Sequence, residues 1–204
     1  MKRIGLSGGI ACGKSSVARI LHKKGIPVLD ADQVARNIVE PGSPALLELV
    51  QEFGSNILDE NGLLKRKTLG SIIMNDKNKR ARLNQITHPK IRASIFSTLQ
   101  KWDSQGYTAG VVEAALMVET NSHTLYDALI IVTCTPQIQI ERLMAREGFD
   151  QETAKTWIRS QLPLTEKEKL ADVIIDNSSD QETLEKLVHE KWNELMISLN
   201  RETK

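Results

Sequence analysis

The sequence predicts an α/β fold, a doubly wound, five-stranded parallel sheet with a helical insertion and a helical lid. Three observations carry this. Short apolar runs alternate with stretches of helical spacing, the pattern of parallel strands joined by crossover helices. Ala109 to Ala115 and Ala128 to Thr133 are continuously apolar and rich in Val and Ile, as strands buried on both faces are. Between the first strand and the first helix lies Gly8-x-x-x-x-Gly13-Lys14-Ser15, which fits the phosphate-binding P-loop pattern at every fixed position.

The first strand carries Ile4 and Leu6. After Lys14, the residues Val17, Ala18, Ile20 and Leu21 fall at helical spacing, and Gly25 suits a C-terminal cap. Strand, glycine loop and helix in that order aim backbone N–H groups and a helix N-terminus at polyphosphate. Lys14 would reach the β- and γ-phosphates of a nucleoside triphosphate and the Ser15 hydroxyl would ligate Mg²⁺. The bland alternative, a glycine-rich turn matching by chance, does not explain the strand before it and the helix after it. Ile26 to Asp32 reads as a second strand ending in the carboxylates Asp30 and Asp32, and ligands of open α/β sheets bind at the carboxyl ends of strands. A helix with Val34, Ile38 and Val39 follows, broken by Pro41-Gly42-Ser43-Pro44.

From Pro44 to Ser104 the strand pattern lapses. Leu46, Leu49, Val50 and Phe53, then Leu69, Ile72 and Ile73, recur at helical spacing, with a turn at Asn61-Gly62. His88-Pro89 is expected to open a further helix with Ile91, Ile95, Leu99 and Trp102 on one face. Val173 to Ile175 is the fifth strand. Between the last two strands lies a charged helical pair, roughly residues 138–170, broken at Pro163. Thr165 with Glu168 and Ser179 with Glu182 read as capping boxes. The closing helix carries Leu184, Leu187, Val188, Trp192, Leu195 and Leu199 on one stripe.

Size and charge narrow the function. The 204 residues make one core with insertions. A formal net charge of +1 argues against nucleic acid as the main partner, since phosphate-backbone binders carry a strong basic excess. No apolar run is long enough to span a bilayer and the first one leads straight into the P-loop, so a soluble cytoplasmic protein is expected. Cys12 and Cys134 form no C-x-x-C pair, which suggests a reducing compartment without a disulfide framework.

The chemistry these residues offer is phosphoryl transfer, which asks mainly for positioning and charge neutralisation. Asp32 could orient or deprotonate an acceptor hydroxyl, or cap the next helix; in a straight strand Asp30 would share its face. Arg142 and Arg146, four apart, share a helix face. They either pair with Glu141 or Glu147 in solvent or close on phosphates as part of a lid, with Arg159 a weaker candidate. His88 reads first as a helix-entry histidine and second as a substrate contact. Lys65-Arg66-Lys67 is a solvated face or a patch for an anionic acceptor. His22, His123 and His189 show no metal-ligand spacing and read as surface residues. Cys12, at a helix start beside Lys14, is either a reactive thiol of lowered pKa, protected by ATP, or a buried inert one.

Taken together these residues resemble the dephospho-coenzyme A kinase family, whose members phosphorylate the ribose 3′-hydroxyl of dephospho-CoA with ATP. The resemblance rests on Gly5 to Ile10 entering the P-loop, on Asp30-Ala31-Asp32 followed by Ala35-Arg36, and on His88-Pro89-x-Ile91. It continues through Glu141 to Arg146, Gln161, Glu166-Lys167 and Ala171 to Asn177. It implies a nucleotide-kinase-like P-loop core over 1–43 and 105–204, a helical acceptor domain inserted over 44–104, and a lid over 138–170. Asp32 then corresponds to the catalytic base, assisted by Lys14 and Arg142. Gly9, Ala11, Cys12, Gly13, Lys14, Ser15 and Ser16 correspond to the ATP-binding segment, with Arg142, Arg146 and Asn177. Asp32, Arg66, His88 and Arg92 correspond to acceptor contacts, and Mg²⁺ would arrive with ATP at Ser15. The chain departs from the family's usual glycine and serine at Ala11 and Cys12, its commoner threonine at Ser16, and its usual aspartate and proline at Glu113 and Ala115. Ala11 needs a permitted backbone conformation, and Glu113 is one methylene longer than aspartate.

Two rivals remain at this point. Another small-molecule or nucleotide kinase would share the core, because the insertion chooses the acceptor. A guanine-nucleotide switch would want Asn-Lys-x-Asp, and Asn78-Lys79-Arg80-Ala81 lacks the aspartate.

Overall fold

The computed structural model describes residues 1–74 and 76–201. They divide into two compact units, residues 1–30 with 101–204, and residues 31–100.

The first unit is built on a five-stranded parallel sheet of order β2-β3-β1-β4-β5, with β1 Lys2–Gly8, β2 Val28–Asp30, β3 Ala109–Glu113, β4 Ala128–Thr133 and β5 Val173–Asp176. Strand β1 lies at the centre, so the loop that leaves it opens at the carboxyl edge between two neighbours. Ile4 to Gly8 of β1 and all of β3 and β4 are buried, as central strands covered on both faces are. On one face Ile4, Leu6, Val111, Ile130 and Val132 pack with Val17, Ile20 and Leu21 of α1 (Lys14–Lys23). Leu184, Val188, Trp192 and Leu195 of α9 (Gln181–Arg201) join the same cluster. The opposite face approaches more closely. A Cβ at Gly5 would stand 2.6 Å from the Met117 sulfur, and one at Gly110 would stand 2.7 Å from the Trp102 ring.

Helices α6 (Pro136–Glu147), α7 (Gln151–Arg159) and α8 (Leu164–Glu168) join β4 to β5. Thr135 caps α6 by accepting from the Ile138 N–H, Pro136 occupies its first turn, and Gly148 ends it at φ 72°. Where a helical pair was expected there are three helices. The expected capping boxes are also displaced: Pro163 precedes α8 with Thr165 inside it, and the cap of α9 is Asp180, which accepts from Thr183 at 2.9 Å. Asp180 stands directly next to Ser179, and the carboxylate is the stronger acceptor for a helix N-terminus.

The second unit is helical: α2 (Ala31–Asn37), α3 (Pro44–Phe53), α4 (Arg66–Met74) and the first part of α5 (Lys77–Ser104). Val39, Ala45, Leu49, Ile57, Leu69 and Ile86 form its own core. Two expectations are corrected in these helices. Asp32 lies in the first turn of α2, not in a strand, so it does not share a strand face with Asp30. Pro89 opens no helix; it sits inside the 28-residue α5, whose start is capped by Asp76 accepting from Asn78 and Lys79. A proline there removes the ladder bond to the Gln85 carbonyl.

Candidate active site

The loop between β1 and α1 is shaped by what surrounds it. Gly13 caps α1 in the left-handed region at φ 89°, and a Cβ there would collide with the Asn177 amide nitrogen, so only glycine fits. Ala11 also takes a left-handed conformation, at φ 58°, where an L-residue carries about 1–2 kcal/mol of strain. Gly9 lies under Gln139 and Cys12; a Cβ would stand 2.8 Å from both side chains.

Buried polar groups hold the loop from several sides. Gln139 donates to the Ile10 carbonyl at 2.8 Å, and Gln161 accepts from the Ile10 N–H at 2.9 Å. The Asn177 amide donates to the Cys12 carbonyl at 2.8 Å, while the Asn177 carbonyl accepts from Arg142 at 3.0 Å. Lys167, fully buried, donates to the Gly8 carbonyl at 3.2 Å and pairs with Glu119 at 2.7 Å. Lys14 pairs with Glu113, at the end of β3, at 2.6 Å. Ser15 is exposed in the first turn of α1, and the Ser16 N–H turns back to the Gly13 carbonyl.

The expected nucleotide residues Gly9, Ala11, Cys12, Gly13, Lys14, Ser15 and Ser16 are therefore contiguous, with Asn177 and Arg142 joined to them. Arg146 is one turn further along α6, exposed and paired with Glu147 at 2.8 Å. In the second unit Asp32, Arg66 and Arg92 are exposed and His88 is half-buried. Arg66 donates to the Arg36 carbonyl at 3.4 Å and borders a cavity of about 230 Å³ lined, apart from Thr87, by apolar residues such as Leu69, Ile73 and Leu83. His88 and Arg92 share a cleft with Asn84 and Gln85; burial, then the Arg92 charge, lowers the His88 pKa. His123, expected at the surface, has a buried Nδ1 with no hydrogen-bond partner.

The reactive-thiol reading of Cys12 is overturned. Cys12 has no exposure, and its hydrogen bond with Cys134 (Sγ–Sγ 3.3 Å), then burial, push its pKa up. Among the described residues no group of three or more His, Cys, Asp or Glu is arranged to hold a metal, and no helix is long and apolar enough to cross a membrane. Sequence reading missed Glu119, Gln139 and Lys167 in this role. Lys167 stood within a quoted motif, yet a lysine in a charged helix gives no sign of being buried.

A central strand, a glycine loop strained into left-handed turns, a helix N-terminus and a loop lysine facing a carboxylate define the nucleotide-binding core of a P-loop kinase. The dephospho-CoA kinase family model matches residues 2–183. A dephospho-CoA kinase of Shouchella clausii is 44% identical over 92% of this chain and 95% of its own length. Among solved structures, a Thermus thermophilus protein superposes with a TM-score of 0.81 at 27% identity, covering 97% of this chain and 96% of that one. Dephospho-CoA kinase from Campylobacter jejuni superposes at 0.65 with 30% identity, covering 95% and 96%. The chain belongs to the dephospho-CoA kinase family.

Proposed function

We propose that this protein transfers the γ-phosphoryl group of ATP to the ribose 3′-hydroxyl of dephospho-CoA, giving CoA and ADP, the last step of CoA biosynthesis, in the cytoplasm. Family membership over nearly the whole chain, together with a complete P-loop whose lysine is in place, carries this reading. Lys14 and N–H groups of the P-loop hold the ATP phosphates, and Arg142, Arg146 and Asn177 close the nucleotide side. Asp32 takes or orients the acceptor hydroxyl proton. Arg66, His88 and Arg92 meet the acceptor, the mostly apolar cavity with Arg66 at its border suiting a ligand with both phosphates and a long neutral arm.

The exposed Ser15 hydroxyl is an oxygen donor of the kind Mg²⁺ takes alongside substrate phosphates and water, and it would hold the ion with them. Bound there, Mg²⁺ would neutralise phosphate charge. The residues of α6 to α8 exclude water, which limits wasteful ATP hydrolysis.

The test is ADP release with Mg·ATP in the presence of dephospho-CoA, adenosine or nucleoside monophosphates. Stimulation by dephospho-CoA alone, with CoA as product, is expected. Stimulation by a control instead would keep the P-loop reading and overturn the acceptor.

A further inference from the structure

Cys12 and Cys134 are 122 positions apart in sequence, yet their sulfurs stand 3.3 Å apart, both as free thiols. Cys12 belongs to the phosphate loop; Cys134 follows β4 directly. We propose that this pair is an oxidation site, at which a hydroperoxide forms a reversible Cys12–Cys134 disulfide that ties the P-loop to the end of β4 and weakens nucleotide binding. The proposal rests on the P-loop of the preceding section being the ATP site.

The two sulfurs are not equivalent. Cys134 has its pKa lowered by its hydrogen bond with Cys12, helped by the Arg142 charge and opposed by burial. Cys12 keeps its proton, and it is fully buried whereas Cys134 is 7% exposed. Cys134 is therefore the nucleophile. Its thiolate attacks the peroxide O–O bond and becomes a sulfenic acid as the distal oxygen leaves and is protonated to water or an alcohol. The Cys12 sulfur then displaces hydroxide from the sulfenic sulfur, and the Cys12 proton joins that hydroxide to give water. Two thiols lose two electrons and the peroxide gains them. A dithiol reverses the bond by exchange.

A disulfide needs sulfurs about 2.05 Å apart, so they must close by roughly 1.2 Å. The Cys12 backbone is pinned on both sides: its N–H bonds the Gly9 carbonyl at 3.2 Å and its own carbonyl accepts from Asn177. Closure therefore strains the loop whose N–H groups face the phosphates, and displacements near 1 Å in such a site cost about 10²-fold. By reciprocity, bound nucleotide disfavours the disulfide by the factor that the disulfide weakens nucleotide binding.

The test treats the protein with hydrogen peroxide, with and without Mg·ADP. Peptide mapping reads the disulfide, calorimetry reads Mg·ATP affinity, and both are repeated after dithiothreitol. A Cys12–Cys134 linked peptide, affinity down tenfold or more, recovery with dithiothreitol and slower linkage under Mg·ADP are expected. Cys134→Ala should bind Mg·ATP as the parent does and keep that affinity through peroxide. No linked peptide, a linked protein of unchanged affinity, or equal peroxide sensitivity in Cys134→Ala would each overturn the proposal. Neither readout uses the acceptor. A protein that binds Mg·ATP yet phosphorylates no dephospho-CoA would fail the functional reading and leave this one standing.

Discussion

The phosphate loop and the helical unit solve opposite problems. Around the loop nearly every polar group is fixed: Lys14 on Glu113, Asn177 on Cys12, Arg142 on Asn177, Lys167 on Gly8 and Glu119. In residues 31–100 the candidate acceptor residues Asp32, Arg66 and Arg92 stand exposed on helices over a small apolar core. A site prebuilt for one charged ligand needs no reorganisation when charge develops in it. Exposed side chains on separate helices lose further freedom when a ligand gathers them, at an entropic cost. Substitutions in the first region should therefore disturb stability and function together, and those in the second, function alone.

The sharpest contrast sets Lys14→Met beside Asp32→Asn. If Lys14 meets the transferring phosphoryl group as proposed, its loss is expected to lower kcat by about 10²–10³-fold. It also leaves Glu113, 8% exposed, without its partner, so the melting temperature should fall. Adding Glu113→Gln should restore the melting temperature and not the turnover. Asp32→Asn is expected to cost about 10²–10³-fold in kcat, the lower part of the general-base range, because the phosphoryl transition state is loose. Its melting temperature and ATP affinity should stay near the parent's. Near-parental turnover in Asp32→Asn would remove this residue from the mechanism.

Lys167→Met tests the fixed region where no substrate contact is proposed. Losing Lys167 removes the hydrogen bond its charged head donates to Gly8, worth about 1.5–3 kcal/mol, while Glu119, exposed at the other end of the pair, keeps water as a partner. Adding Glu119→Gln should recover little of that loss, read by chemical denaturation. Full stability in the single variant would show that the pair contributes nothing to holding the loop.

What the sequence disclosed follows the range of the interactions involved. The P-loop was legible because strand, glycines, lysine and helix are contiguous and each has a local signature. Strands β3 and β4 were legible because burial on both faces leaves an unbroken apolar run. Helix α5 was not, since Pro89 reads locally as a start, whereas the helix is begun by Asp76 and carried through the proline by Leu69, Ile86 and their neighbours in one core. Asp180 and Ser179 are adjacent candidates for one cap, and composition does not rank them. Lys167 on Gly8 spans 159 positions and Cys12 on Cys134 spans 122, and no periodicity encodes contacts of that separation.

Ala11 offers a smaller effect of opposite sign. Its φ of 58° costs an alanine about 1–2 kcal/mol, which glycine would not incur. Glycine also loosens the unfolded chain, by about 0.4–1 kcal/mol. Ala11→Gly should therefore stabilise by about 0.5 kcal/mol, a rise of a degree or two in melting temperature for a chain of this size. A fall would mean that the methyl group makes contacts worth more than its strain.

The smallest effect expected is a pH dependence in the helical unit. Unfolded, His88 titrates near 6.5; folded, burial and then the Arg92 charge hold it lower. Between the two values the unfolded chain takes up a proton that the folded chain refuses, so stability falls as pH drops below about 6.5. His88→Gln should narrow the gap between melting temperatures at pH 7.5 and 5.5, without altering the value at 7.5 much. An anionic acceptor bound beside His88 favours the protonated ring by opposing the Arg92 charge. Saturating dephospho-CoA should then close the same gap in the parent protein and leave His88→Gln unmoved. If the acceptor stabilises both proteins equally at every pH, His88 is not among its contacts.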